Sequence, residues 1–158
     1  MVMEDILRKN IIKLKLENKN QAVYVTNIDV TDTNVLLDKI ANELCSGADI
    51  IIFDARLISD DRNCVEVANK IKLLCGEFEA SFLIKGRADI AFIVGADGIL
   101  LDAEDVHPKY AHEISGHNSI LGFVGEPDIN QDLIDFMIID NILFCTNNNT
   151  KINLKELK

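Results

Sequence analysis

Asp102, Glu104 and Asp105 stand almost side by side, directly after the apolar run Ile99-Leu100-Leu101. Carboxylates grouped in this way can hold a divalent cation. They also suit the entry of a helix, whose N-terminus favours acids. A second set is Thr146, Thr150 and Lys151. Two hydroxyls and a cation can cradle a phosphate, although the intervening Asn147-Asn148-Asn149 equally fits a polar surface loop. Arg56 and Arg87 each follow an apolar run. Arg87 is placed to pair with a neighbour such as Asp89, whereas Arg56 could offer its charge to a ligand. His107, His112 and His117 recur every five residues. On a helix each step turns them about 140° apart, so they share no face and read as surface positions. The sequence shows neither a nucleophile elbow nor a glycine-rich nucleotide motif.

The elements around the acids explain why their position matters. Phe82-Leu83-Ile84 is a short strand, Lys85-Gly86-Arg87 a turn, and Ala88, Ala91, Phe92 and Val94 mark a helix that Gly95 ends. The acids then close a β-α-β unit at the carboxyl end of its second strand, where parallel α/β folds bind ligands. The rest of the chain repeats the theme. Strands are expected at 22–26, 49–53, 80–84, 97–101, 119–124 and 136–139. Helices are expected at about 32–45, 59–74, 86–94, 108–116 and, weakly, 127–134, with Gly47 and Gly76 ending the first two. Residues 1–20 read as a helical or frayed segment. The Gly-Ala-Asp at 47–49 and 95–97 is a weak internal echo.

Alternating strands and helices imply a parallel sheet in one domain spanning 1–158. Two architectures satisfy that pattern, an open doubly wound sheet and a (β/α)8 TIM barrel. A complete barrel usually needs about 200 residues or more, so the residues alone lean toward the open sheet.

Composition excludes several roles. The chain has 158 residues, 48% hydrophobic and 27% charged, with a formal net charge of −10. That charge argues against nucleic-acid binding and opposes phosphorylated substrates unless local cations or a metal compensate. The apolar runs are too short to span a membrane. The N-terminus lacks the apolar stretch of a signal peptide, so the cytoplasm is the expected compartment. Cys45, Cys64, Cys75 and Cys145 form no Cys-x-x-Cys pair and read as reduced core or boundary cysteines.

The stretch Leu83-Ile84-Lys85-Gly86-Arg87-Ala88-Asp89-Ile90-Ala91, followed by Gly95-Ala96-Asp97-Gly98-Ile99-Leu100-Leu101-Asp102-Ala103-Glu104-Asp105, resembles thiamine-phosphate synthases and the related thiazole tautomerases. Their pattern there is L-I-I-N-D-R-x-D-L-A, then G-A-D-G-V-H-L-G-Q-E-D. Tyr24-Val25-Thr26, Gly47 to Arg56, Ile120-Leu121-Gly122 and Phe136 to Lys151 are similar to further parts of the family. The resemblance implies a TIM-type barrel, here with about six β/α units, and it makes 141–158 a phosphate-loop-like region and tail. It implies coupling of a pyrimidine pyrophosphate to a thiazole phosphate, with release of pyrophosphate. It also implies Mg²⁺ at Asp105, with Arg56, Lys85, Thr146, Thr150 and Lys151 meeting phosphates.

The chain departs from that pattern at positions that carry chemistry. Gly86 stands where the family has a metal-binding Asp, and Lys85 where it has Asn. The Q-x-R-E-K set reads Ile52-Phe53-Asp54-Ala55-Arg56, so an Arg has become an acid. Leu100 and Val124 replace the usual His and Ser. Gly125 and Glu126 stand where a tautomerase would have His. The glycine-rich loops after strands seven and eight have no counterpart. A non-catalytic relative, a pseudoenzyme or interaction protein, is therefore the alternative to a synthase; a tautomerase is the weaker one. A barrel short of two strands would expose two edges, and edges seek partners, so a homo-oligomer or a covering partner is expected.

Overall fold

A computed structural model describes residues 21–25, 32–116, 119–127, 133–146 and 151–157. The expected segment at 1–20, most of the helix after Pro127, His117 and Thr150 lie outside them.

Strand β1 (Gln21–Val25) leads to helix α1 (Thr33–Cys45) and β2 (Ala48–Asp54). A single 3-10 turn, Ala55–Leu57, joins β2 to α2 (Asp61–Glu77). Then come β3 (Ser81–Lys85), α3 (Ala88–Val94), β4 (Gly98–Leu101), α4 (Pro108–Ser115), β5 (Ile120–Val124) and β6 (Phe136–Ile139). The chain finishes with β7 (Ile142–Cys145) and β8 (Lys151–Glu156). Strands β1 to β6 pair in parallel, in sequence order. β7 is antiparallel to both β6 and β8, and β8 returns parallel to β1. The eight strands form a closed barrel.

The barrel therefore closes with an antiparallel meander in place of two further β/α units. Residues 142–145 and 151–156, expected to lie in a phosphate-loop-like region and tail, are thus the last two strands of the barrel. This closure removes the physical reason given for a covering partner, because β1 is paired on both sides. The hairpin turn is Asp140-Asn141, both at positive φ (52° and 60°), as a tight two-residue turn requires.

Period two along each strand sorts the core into two shells. Ile51, Phe53, Phe82, Ile84, Ile99, Leu101 and Leu121 face outward to the helices. Ile50, Ile52, Leu83, Leu100, Ile120, Phe136, Leu143 and Ile152 fill the lumen. Gly122 makes that filling possible, since a Cβ there would collide with the tip of the Phe136 ring.

The helices start where the sequence predicts. The Asp32 carboxylate accepts from the N–H groups of Asn34 (3.0 Å) and Val35 (3.3 Å), and Asp60 from that of Asn63 (3.1 Å). α2 runs past Gly76 to Glu77, and Glu79 takes the positive φ of 56° instead. Phe92 lies on the outer face of α3 rather than inward, and Cys45 is exposed while Cys64 and Cys75 are buried. Among the described residues no helix is long and apolar enough to cross a membrane.

Candidate functional site

The alternation that sorts the core also builds the site. Ile50 and Ile52 point into the lumen, so Asp54, two positions on, points the same way at the carboxyl end of β2. Leu83 is inward, and so is Lys85 at the end of β3. Asp54 and Lys85 are register partners. Leu100 is inward, and Asp102 follows it by two. Tyr24, on β1, packs against the same luminal core. The charged layer is thus the top layer of the barrel interior, where the strand pattern continues but the apolar side chains stop.

Arg56 enters this layer from the 3-10 turn after β2. Its Nε and Nη2 grip Asp54 at 3.1 and 3.2 Å, a two-pronged pair. The Asp54 carboxylate also accepts the Arg56 backbone N–H at 3.0 Å, which starts the turn and fixes the arginine's origin. Nη1 reaches Asp102 at 3.1 Å and Asp105 at 3.5 Å. Lys85, only 4% exposed, donates to the same Asp102 oxygen at 3.0 Å. The turn after β4 is tied within itself. Asp105 accepts the Asp102 N–H at 2.9 Å, and Asp102 accepts the Glu104 N–H at 2.9 Å.

Titration follows from these contacts. Burial alone would raise the Asp102 carboxyl, but the Glu104 N–H and the Arg56 guanidinium outweigh it and hold the group below the usual range. Burial raises Asp105, and the neighbouring Asp102 charge adds to that rise. Tyr24 is held far above an ordinary phenol, first by burial and then by the Asp54 charge. Arg56 stays firmly protonated: burial opposes its charge, but Asp54 more than offsets that.

Of the residues singled out in the sequence, Arg56, Lys85, Asp102 and Asp105 come together here. Thr146 and Lys151 do not join them. The Thr146 hydroxyl donates to the carbonyls of Ile134 (2.8 Å) and Asp135 (3.1 Å), just before β6 begins. Lys151 opens β8 at the same amino end of the barrel, exposed, with its ammonium 5.4 Å from the Phe144 ring centre. Arg87 pairs with Asp89, as expected, at 2.7 and 2.9 Å, and also with Asp61 at 3.0 Å. Asp54 and Asp102 as partners of Arg56 were not read from the sequence; the period-two count from Ile50 and Leu100 is the signal that finds them.

Beside the cluster a cleft of about 360 Å³ opens between the β4–α4 turn and the end of β5. Its floor is apolar, with Pro108, Phe123 and Pro127, and its polar lining is Asp102, Asp105, His107 and Glu126. That combination suits a small ring compound with a few hydrogen-bonding groups.

The Mg²⁺ that the sequence resemblance implies would meet no unpartnered oxygen on Asp54, Asp102 or Asp105. Every carboxylate oxygen of Asp54, Asp102 and Asp105 already faces a backbone N–H, Arg56 or Lys85. Among the described residues no group of three or more His, Cys, Asp or Glu could hold a metal ion.

A family model described as thiamine monophosphate synthase matches residues 22–129, more than half of the chain. The chain belongs to the thiamine monophosphate synthase family. A thiamine-phosphate synthase from Clostridium perfringens (strain 13 / Type A) is 34% identical over 89 residues, covering 56% of this chain and 42% of that protein. One from Persephonella marina is 30% identical over 112 residues, covering 68% of this chain and 51% of that protein. The solved thiamine phosphate pyrophosphorylase of Pyrococcus furiosus superposes with a TM-score of 0.59 at 28% identity, over 70% of this chain and 52% of that one. The chain thus spans about half the length of these synthases. The match to the thiamine monophosphate synthase family stops before β6, so the meander that closes the barrel lies beyond it.

Proposed function

We propose that this chain binds a thiamine-related ring compound in the cytoplasm, at the carboxyl end of its barrel, and does not itself couple the pyrimidine and thiazole halves. Family membership supports the ligand class. One observation carries the rest: the cations of the cluster are spent on its own aspartates. Asp54, Asp102 and Asp105 contribute three negative charges and Arg56 and Lys85 two positive ones, so the cluster is at −1 with Asp105 ionised. A pyrophosphate leaving group needs surplus positive charge or a metal to receive it, and neither is on offer in this arrangement. Cys64 is a buried cysteine, and a buried thiol fits a reducing compartment.

Isothermal titration in the presence of EDTA tests the binding half. The hydroxymethylpyrimidine and hydroxyethylthiazole alcohols are expected to bind, and more tightly than their phosphates, because the cleft lining is acidic. Heat from the phosphates alone would reverse the assignment.

A second reading keeps an active, Mg²⁺-dependent synthase. Arg56 and Lys85 would meet phosphates, and Asp105 would hold the metal. The position of these residues at the carboxyl ends of β2, β3 and β4 favours it. It requires Arg56 and Lys85 to leave their aspartates when substrate arrives.

A further inference from the structure

We propose that the Arg56 guanidinium stands in the place of a divalent cation among Asp54, Asp102 and Asp105, and that its removal turns these carboxylates into a metal site. The inference rests on the reading that this cluster is the working end of the barrel, and it adds a role for one residue.

The guanidinium touches all three carboxylates, at 3.1 and 3.2 Å to Asp54, 3.1 Å to Asp102 and 3.5 Å to Asp105. These acids come from two chain segments, the end of β2 and the turn after β4, and among the described residues only Arg56 meets all of them. Among these three acids, Lys85 pairs with Asp102. The guanidinium is thus the hub that joins the two segments, as a bound cation would be.

Gly86 makes room for it. A Cβ on Gly86 would lie 2.7 Å from Arg56 Cδ and 2.9 Å from Cγ and Nε. Any larger residue at 86 would force the arginine side chain to shift. The glycine and the arginine are therefore a matched pair. One vacates a volume, and the other fills it with a fixed positive charge.

Removing the guanidinium leaves three carboxylates facing Lys85, a net charge of −2. Hard divalent ions of the Mg²⁺ and Mn²⁺ type bind where one or two such oxygens converge and water completes the shell. The native chain satisfies the same oxygens internally, and a guanidinium does not dissociate.

The test is Mn²⁺ binding, followed by the electron paramagnetic resonance of the free ion. It reads no turnover, so it can fail or succeed separately from the proposed function. The samples are the native chain, Arg56→Ala, Arg56→Gln and Arg56→Ala combined with Asp105→Asn. The native chain is expected to leave millimolar Mn²⁺ free. Both single variants are expected to bind it at least roughly tenfold more tightly than the native chain, and the added Asp105→Asn to abolish that gain. A single variant that is unfolded in EDTA and refolds with Mn²⁺ supports the proposal equally, because metal binding then supplies folding energy. Mn²⁺ binding by the native chain overturns it. So do single variants that bind no better than native or stay unfolded with the metal, and so does a gain that survives Asp105→Asn.

Discussion

Arg56 lies across Gly86 so closely that a Cβ on the glycine would stand 2.7 Å from the arginine Cδ. The glycine also holds φ at +87°, a region that L side chains rarely adopt. Gly86→Ala therefore meets two penalties, backbone strain and displacement of Arg56. A loss of about 1–3 kcal/mol in urea unfolding is expected. A midpoint equal to the native one would show that Arg56 does not hold this position.

Arg56→Ala removes the common partner of three carboxylates. Breaking a fully buried ion pair costs about 3–5 kcal/mol. Arg56 is 37% exposed along its side chain, and solvent screens what remains, so about 1–2 kcal/mol is the expected loss. Arg56→Lys keeps the charge but not the fork that grips Asp54, and should fall between the two. Equal stabilities for the lysine and alanine variants would argue that geometry, not charge, does the holding.

Much of this architecture is legible in the sequence. The parallel strands β1 to β6 follow from their apolar runs, and the grouping of Asp102 and Asp105 just after the carboxyl end of β4 follows from the β-α-β order. The closing meander was legible too, but the resemblance to a phosphate loop obscured it. Ile139-Asp140-Asn141-Ile142 is a two-residue hairpin signal. Lys151-Ile152-Asn153-Leu154-Lys155 alternates as a half-buried strand does, with Ile152 and Leu154 buried. The Arg56 hub was not legible. Its partner Asp102 is 46 positions away, and only the barrel's register brings the two together.

The neighbouring acids Asp102 and Asp105 should respond to pH in opposite senses. Asp102 is held below its ordinary value, so its ionisation stabilises the fold above the unfolded pKa of about 3.9, and this is lost as pH falls through the folded value. Asp105 is raised, so its ionisation costs stability once pH climbs past about 3.9. At neutral pH, Asp102→Asn is expected to destabilise, while Asp105→Asn should equal or exceed the native chain, an advantage that disappears below about pH 4. Thermal melts of both variants from pH 3 to 7 check this (roughly the window those values define). The same sign for both would contradict the assigned environments.

Gly122→Ala probes the lumen beneath the site. The added methyl would collide with the tip of the Phe136 ring, which is fully buried. Overpacking of this kind costs about 1–3 kcal/mol. Pairing it with Phe136→Leu should recover part of the loss, and a double-mutant cycle would show the coupling. Strict additivity would mean the two residues do not share that space.

Release of pyrophosphate is the most direct measurement. The purified chain would be mixed with hydroxymethylpyrimidine pyrophosphate, thiazole phosphate and Mg²⁺, and pyrophosphate followed over time. A cluster that neutralises its own cations predicts no release above the protein-free rate. Release that needs Mg²⁺ and is lost in Asp105→Ala would contradict the account and establish an active synthase.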